Sequence, residues 1–410
     1  MNELLRSHAD QIVRGAIAAV QPDAAVQRAL EKMEFPGRVL LVAAGKAAWQ
    51  MAKAASDCLG DRIENGVVVT KYDHVMGPIA NFDCREAGHP VPDENSFRGT
   101  QAALDLVSGL SEKDTVLFLL SGGGSALFEK PLVSGEELQD ITGQLLACGA
   151  DIVEINTIRK RLSAVKGGRF ARLCRPARVE AVVLSDILGD PLDMIASGPA
   201  CPDSSTAEDA RRIAEKYGLK MSAAARELLD VETPKELDNV HTQINGSVRE
   251  LCSAAAGICR QLGYEPVLLT DQLCCQAREA GSFLASILKT HAGDGKSLAF
   301  IAGGETVVTL TGHGLGGRNQ EIALAAAPGI SGMAGAAVFS VGSDGTDGPT
   351  DAAGGYADGD TCRELAAYGL SADAVLQDND AYHALQKTKG LIITGPTGTN
   401  VNDVAVALLK

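Results

Sequence analysis

Residues 39–60 read VLLVAAGKAAWQMAKAASDCLG. Six apolar residues without a charge lead into Gly45 and Lys46, and an alanine-rich stretch follows. A short, continuous apolar run suits a strand covered on both faces, while the stretch behind it suits a helix. The same unit returns as NGVVVTKY (65–72), TVLFLLSGGGSAL (115–127) and VEAVVLSDILGD (179–190). Runs of this kind, each followed by a Gly-, Ser- or Asp-rich loop and a helical segment, predict a mostly parallel sheet with helices on both faces. From 202 to 246 the chain turns polar and helix-prone and is broken by Pro234, so a domain boundary is expected near 235–245. Beyond it the alternation resumes with EPVLLT (265–270), LAFIAGGETVVTLT (298–311), AAVFSVGSDG (336–345) and GLIITGPTG (390–398). The fold class is α/β, in two α/β domains.

Composition narrows the function. With 37 Lys and Arg against 52 Asp and Glu, the net charge of -15 argues against a nucleic-acid partner, which would want a basic face. Aromatic residues, 4% of the chain, leave few platforms for stacking bases. Ten scattered cysteines without a C-x-x-C pair read as small buried hydrophobes in a reducing compartment. Residues 1–20 space Leu5, Ile12, Val13 and Ile17 like an amphipathic helix, and no run approaches a membrane span. A cytoplasmic protein acting on small molecules, with no membrane partner, is expected; a homodimer stays open.

Ligands of open α/β sheets bind beyond the carboxyl ends of the strands. Lys46 stands there, at the start of a helix, where the dipole disfavours a cation unless an anion sits beside it. Solvent exposure of the ammonium is the plainer reading. In SGGGSAL, residues Ser121, Gly122, Gly123, Gly124 and Ser125 offer backbone amides and hydroxyls to a phosphate, or else make a tight turn. The stretch is no P-loop, because G-x-x-x-x-G-K-[ST] is absent. GHGLGG (312–317) matches G-x-G-x-x-G, but 328–342 hold no acidic residue for a dinucleotide ribose. Arg318 follows it directly. Two such cations, one per domain, would suit a polyphosphate held in an interdomain cleft.

Carboxylates complete the set: Asp186 at a strand end, Glu305 behind Gly303 and Gly304, and Asp344 in SVGSDGTDGPTDAAGG (340–355). Magnesium takes one or two carboxylates beside phosphate oxygens, and each Asp alone is also an ordinary cap or turn residue. The basic stretch 156–171 reads as an anion attractor or as a solvated helix face. His89, beside Pro90, reads as a structural histidine or as an aimed imidazole.

Taken together, VAAGKAAWQMA, EAGHPVPDENS, LLSGGGSALFEKP, NTIRKRLSAVKGG, LSDILGDPLDMIASGP, GGETVVTLTGHGLGGRNQE, SVGSDGTDGPTDAAGG and TGPTGTNVNDVAVAL resemble the two-domain glycerate kinases with a C-terminal MOFRL module. The resemblance implies a Rossmann-like N-terminal domain, set at 1–238, and a smaller C-terminal α/β domain, set at 239–410, with the active site in the cleft. It implies ATP-dependent phosphorylation of D-glycerate to 2-phosphoglycerate with Mg²⁺. Lys46 and Arg318 match the family's essential lysine and arginine, which act in catalysis and on the substrate. On the strand-end argument, Asp186 is assigned to catalysis and metal, and Asp344 to substrate and metal. Ser121–Ser125, Gly303, Gly304 and Glu305 are assigned to nucleotide phosphate. The alternatives are an NAD(P)H-dependent hydroxypyruvate reductase and a non-catalytic binder of phosphorylated metabolites.

Overall fold

Strands β1 (Val39–Ala44) and β4 (Thr115–Leu120) are buried at every residue in the computed structural model, which describes residues 1–410. Such burial explains why both runs lack alternation: helices cover the sheet on either face. With β2 (Ile63–Lys71), β3 (Phe82–Ala87), β5 (Arg178–Leu184) and β6 (Val240–Gly246) they form a six-stranded sheet in the order β3-β2-β1-β4-β5-β6. Strands β1 to β5 pair in parallel. The order reverses between β1 and β4, the kind of switch point at which α/β proteins bind ligands. Residues 25–185 and 190–245 make up this unit.

Residues 1–24, 186–189 and 246–410 make up the second unit. Its sheet is mixed, in the order β11-β10-β9-β12-β8-β7. The strands are β7 (Glu265–Leu273), β8 (Leu298–Gly304), β9 (Ala336–Gly342), β10 (Gly354–Asp358), β11 (Leu391–Ile392) and β12 (Asp403–Leu409). Only β7 and β8 are parallel neighbours; the remaining pairs are antiparallel. Sequence reasoning expected more of LAFIAGGETVVTLT than the structure delivers. The strand ends at Gly304, and 306–311 continue as a loop with a single bridge from Val307 to Gln276.

This grouping departs from a division at 238 and 239 in three places, one of them the short segment 186–189, which joins the second unit. Strand β6 completes the first sheet, and the N-terminal helix Glu3–Ala19 belongs to the second unit. The apolar stripe read from the sequence explains the latter. Leu5, Ile12 and Val13 pack with Leu251 and Ala255 of the helix Val248–Gln261 over Val404 and Val406 of β12. Ile12 is fully buried, so Ile12→Ala should cost about 2–5 kcal/mol of this unit's stability. A lowered urea midpoint reads that loss; an unchanged midpoint would show that the helix is not part of this core. No helix is long and apolar enough to cross a membrane.

Candidate functional site

In the first unit the loops after β1 and β4 are laced together. The Lys46 N–H donates to the Gly122 carbonyl at 2.9 Å, the Ser121 N–H to the Ala44 carbonyl at 3.0 Å, and the Ala47 N–H to Ser121 Oγ at 3.0 Å. Gly45 has φ +126, and a Cβ there would run into Ser121 Oγ, so only glycine lets the loops close this far. Ser121 is thus a buried tie between loops. Gly123, at φ +83, precedes the one-turn helix Gly124–Leu127. The amides of Gly122 and Gly123 donate to no backbone carbonyl, and both residues are half-buried. Lys46, also half-buried, forms no ion pair. An unpaired ammonium and free amides at strand ends make a receptor for an oxyanion.

The basic stretch 156–171 is neither solvated nor an attractor of ligand. Arg161 and Lys166 are wholly buried. Lys160 Nζ lies 3.0 Å from Asp203, and Lys166 Nζ lies 3.4 Å from Glu129. Arg159 Nη2 and Lys166 Nζ both donate to the Ser125 carbonyl, each at 2.8 Å. These cations brace the glycine loop from behind. Burial pushes Lys166 down to about 8, with Glu129 pulling the other way.

In the second unit, Arg318 opens the helix Arg318–Ile330 and meets two carboxylates. Its Nε and Nη2 bind Asp403 at 2.6 and 3.0 Å, and Nη1 binds Glu305 at 2.8 Å. Burial works against the guanidinium charge, yet Asp403 and Glu305 outweigh it and raise its pKa. Burial pushes the Asp403 carboxyl up to about 6, with Arg318 opposing. Asn402 Nδ2 joins the group, donating to Glu305 at 3.3 Å and to the Asp186 backbone carbonyl at 3.2 Å. Three predicted residues therefore converge here: Arg318, Glu305 and Asp186. Asp344 lines the same cavity as Arg318 and accepts from the Thr346 N–H at 3.0 Å. Gly303 and Gly304, expected on phosphate, are packing residues instead. A Cβ on the first would strike Cys252 and Val248, and one on the second would strike Leu273.

That cavity, about 650 Å³, is lined among others by Val307, Leu310, Arg318, Asp344 and Pro349. Its size suits a nucleotide. Four of the six GHGLGG amides are already taken, which works against binding one in dinucleotide fashion. Gly312 N–H donates to Asn379 Oδ1, His313 N–H to Asp378 Oδ1, Gly314 N–H to the Asp378 carbonyl and Leu315 N–H to Asp380 Oδ1. Nor is the N-terminus of the helix behind Arg318 vacant for an anion. Asp347 fills it, accepting from Asn319 and Gln320 N–H at 3.1 and 2.9 Å. The three aspartates of 340–355 thus do different work: Asp347 caps that helix, Asp351 accepts from the Tyr382 hydroxyl at 2.7 Å, and Asp344 faces the cavity.

No three His, Cys, Asp or Glu side chains group as a self-sufficient metal site. The donors near Arg318 nonetheless fit a hard cation that arrives on phosphate. Asp344 pairs with no cation, and Asn402 Oδ1 is buried without a hydrogen-bond partner. Asp403 and Asn402 escaped the sequence reading; the available signal was a polar pair placed directly before the apolar run VAVALL.

Comparison with known proteins gives two family matches along the chain. Residues 8–230 match a family described as a domain of unknown function, DUF4147, and residues 298–403 match the MOFRL family. A D-glycerate 2-kinase of Thermotoga maritima is 54% identical over 99% of both chains. A putative hydroxypyruvate reductase of Agrobacterium vitis is 36% identical over 97% of this chain and 93% of its own. The crystal structure of a glycerate kinase from Thermotoga maritima superposes with a TM-score of 0.95 at 54% identity, covering 99% of each chain.

Proposed function

The chain belongs to the two-domain glycerate kinase family with a MOFRL module, and we propose that it moves the γ-phosphoryl group of ATP to the 2-hydroxyl of D-glycerate using Lys46 and Arg318 together. Glycerate kinase activity, a phosphotransfer with ATP as donor, comes with that membership. The observation that carries the residue assignment is the unpaired ammonium of Lys46, whose stem runs beside Gly123, together with the free amides of Gly122 and Gly123.

Phosphoryl transfer needs positioning and charge stabilisation more than covalent chemistry. Lys46 and the Gly122 and Gly123 amides take the oxygens of the migrating group. Arg318 has five N–H donors, three of which hold Asp403 and Glu305; the other two are free to meet phosphate oxygens. Asp403 fixes the guanidinium plane and so sets where those donors point. Mg²⁺, borne by the nucleotide, would be held by Asp344 and Asn402 Oδ1, and it supplies charge neutralisation between the phosphates. Asp186 contributes through its backbone carbonyl, which Asn402 holds.

Incubation with ATP, Mg²⁺ and D-glycerate, followed by enolase without phosphoglycerate mutase, tests the regiochemistry. Phosphoenolpyruvate equal to the ADP formed is expected. Product that enolase leaves untouched until mutase is added would move the transfer to the 3-hydroxyl. NADH with hydroxypyruvate should show no oxidation, since four of the six GHGLGG amides are occupied.

A further inference from the structure

His89, on the loop after β3, is not a satisfied structural histidine. Its half-buried imidazole has no hydrogen-bond partner. It lies over the glycine loop: a Cβ built on Gly123 would stand 2.9 Å from its Cδ2, 3.0 Å from its Nε2 and 3.2 Å from Lys46 Cγ. The ring and the Lys46 stem therefore share the space that glycine leaves open at 123, directly beside the free amides.

The charged groups facing the ring are Lys46 from the loop after β1, Lys71 at the end of β2, and His74. Nearby carboxylates are already engaged. Glu86 accepts from the His74 and Val75 N–H groups at 2.9 and 2.8 Å, and Asp93 accepts from the Tyr72 hydroxyl at 2.6 Å and the Ser96 N–H at 3.0 Å. Burial, then Lys46, Lys71 and His74, hold the imidazole below its ordinary pKa. At neutral pH the ring is uncharged, with a nitrogen able to accept.

We propose that His89 is a further catalytic residue, the group that takes the proton of the acceptor hydroxyl as the phosphoryl group arrives. The proposal rests on the kinase reading, in which the loop around Gly123 holds the reacting groups. In the step, the hydroxyl O–H bond breaks and its proton passes to Nε2. That oxygen bonds the γ-phosphorus, the bond from γ-phosphorus to the bridging oxygen breaks, and ADP leaves with the electron pair. The imidazolium then returns its proton to water. The cations Lys46 and Lys71 suit an acceptor that itself carries a carboxylate.

His89→Gln tests this with the full chain. A fall in kcat of about 10²- to 10⁴-fold is expected, as for loss of a general base. In the native chain kcat/KM should fall at acid pH with a midpoint below the ordinary imidazole value, and H89Q should lack that limb. His89→Ala should recover turnover when imidazole is added, a gain that a merely structural role would not produce. An H89Q enzyme that keeps its kcat and its acid limb, while the native chain turns over glycerate normally, would overturn the role of His89 and leave the kinase reading standing. A native chain without glycerate turnover would overturn both.

Discussion

Lys46→Met should lower kcat by about 10³- to 10⁵-fold, the range for losing a cation that stabilises a migrating phosphoryl group. Unfolding temperature should hold within about 2 °C, because that much corresponds to under 1 kcal/mol in a unit of this size. The split follows from what Lys46 lacks. Its ammonium pairs with no carboxylate, while the backbone of residue 46 makes the ties that matter for the fold, to Gly122 through N–H and to Thr70 through C=O. Methionine keeps those ties and most of the stem. Native turnover in this variant would remove Lys46 from the chemistry, and a large drop in unfolding temperature would mean that the side chain braces the loop.

Arg318→Ala should lose both activity and stability, since one of its two partners, Asp403, is itself buried. Asp403 keeps 7% of its side-chain exposure and Arg318 keeps 33%. Removing the guanidinium leaves a buried carboxylate uncompensated, at a cost of about 3 kcal/mol, the low end for a broken buried pair because Arg318 is partly solvated. The pH dependence has a definite sign. The Asp403 carboxyl titrates higher in the folded chain, at about 6, than its ordinary 3.8, so its ionisation costs stability as pH rises through that value. Without Arg318 the folded-state pKa climbs further. R318A should therefore lie closest to the native chain near pH 5 and fall away toward pH 8. Adding Asp403→Asn should restore stability at pH 8 without restoring kcat. A pH-independent deficit would show that Asp403 is not the group left unpaired.

The sequence made β1 and β4 legible because a strand covered on both faces needs a continuous apolar run, and it singled out Lys46 and Arg318 as candidates because cations at helix starts run against the dipole. Other features depended on partners far along the chain. Nothing local to GHGLGG announces that Asp378, Asn379 and Asp380 take four of its amides. Arg159, Lys160, Arg161 and Lys166 look like a solvated face until Asp203, Glu129 and the Ser125 carbonyl arrive to neutralise them. Helix Glu3–Ala19 advertised its apolar stripe, but not that the stripe would meet residues near 251 rather than those following it. Asp403 went unseen because its meaning lies in Arg318, 85 residues earlier.

We propose that Lys46 and Arg318 act on one phosphoryl group, and a kinetic double-mutant cycle tests this most directly. Turnover is measured for K46M, R318M and the double variant at a temperature where each is folded. Residues that work as a unit lose far less together than the product of their separate losses, and that shortfall is what we expect. Losses that multiply fully, as for distant and independent positions, would contradict it.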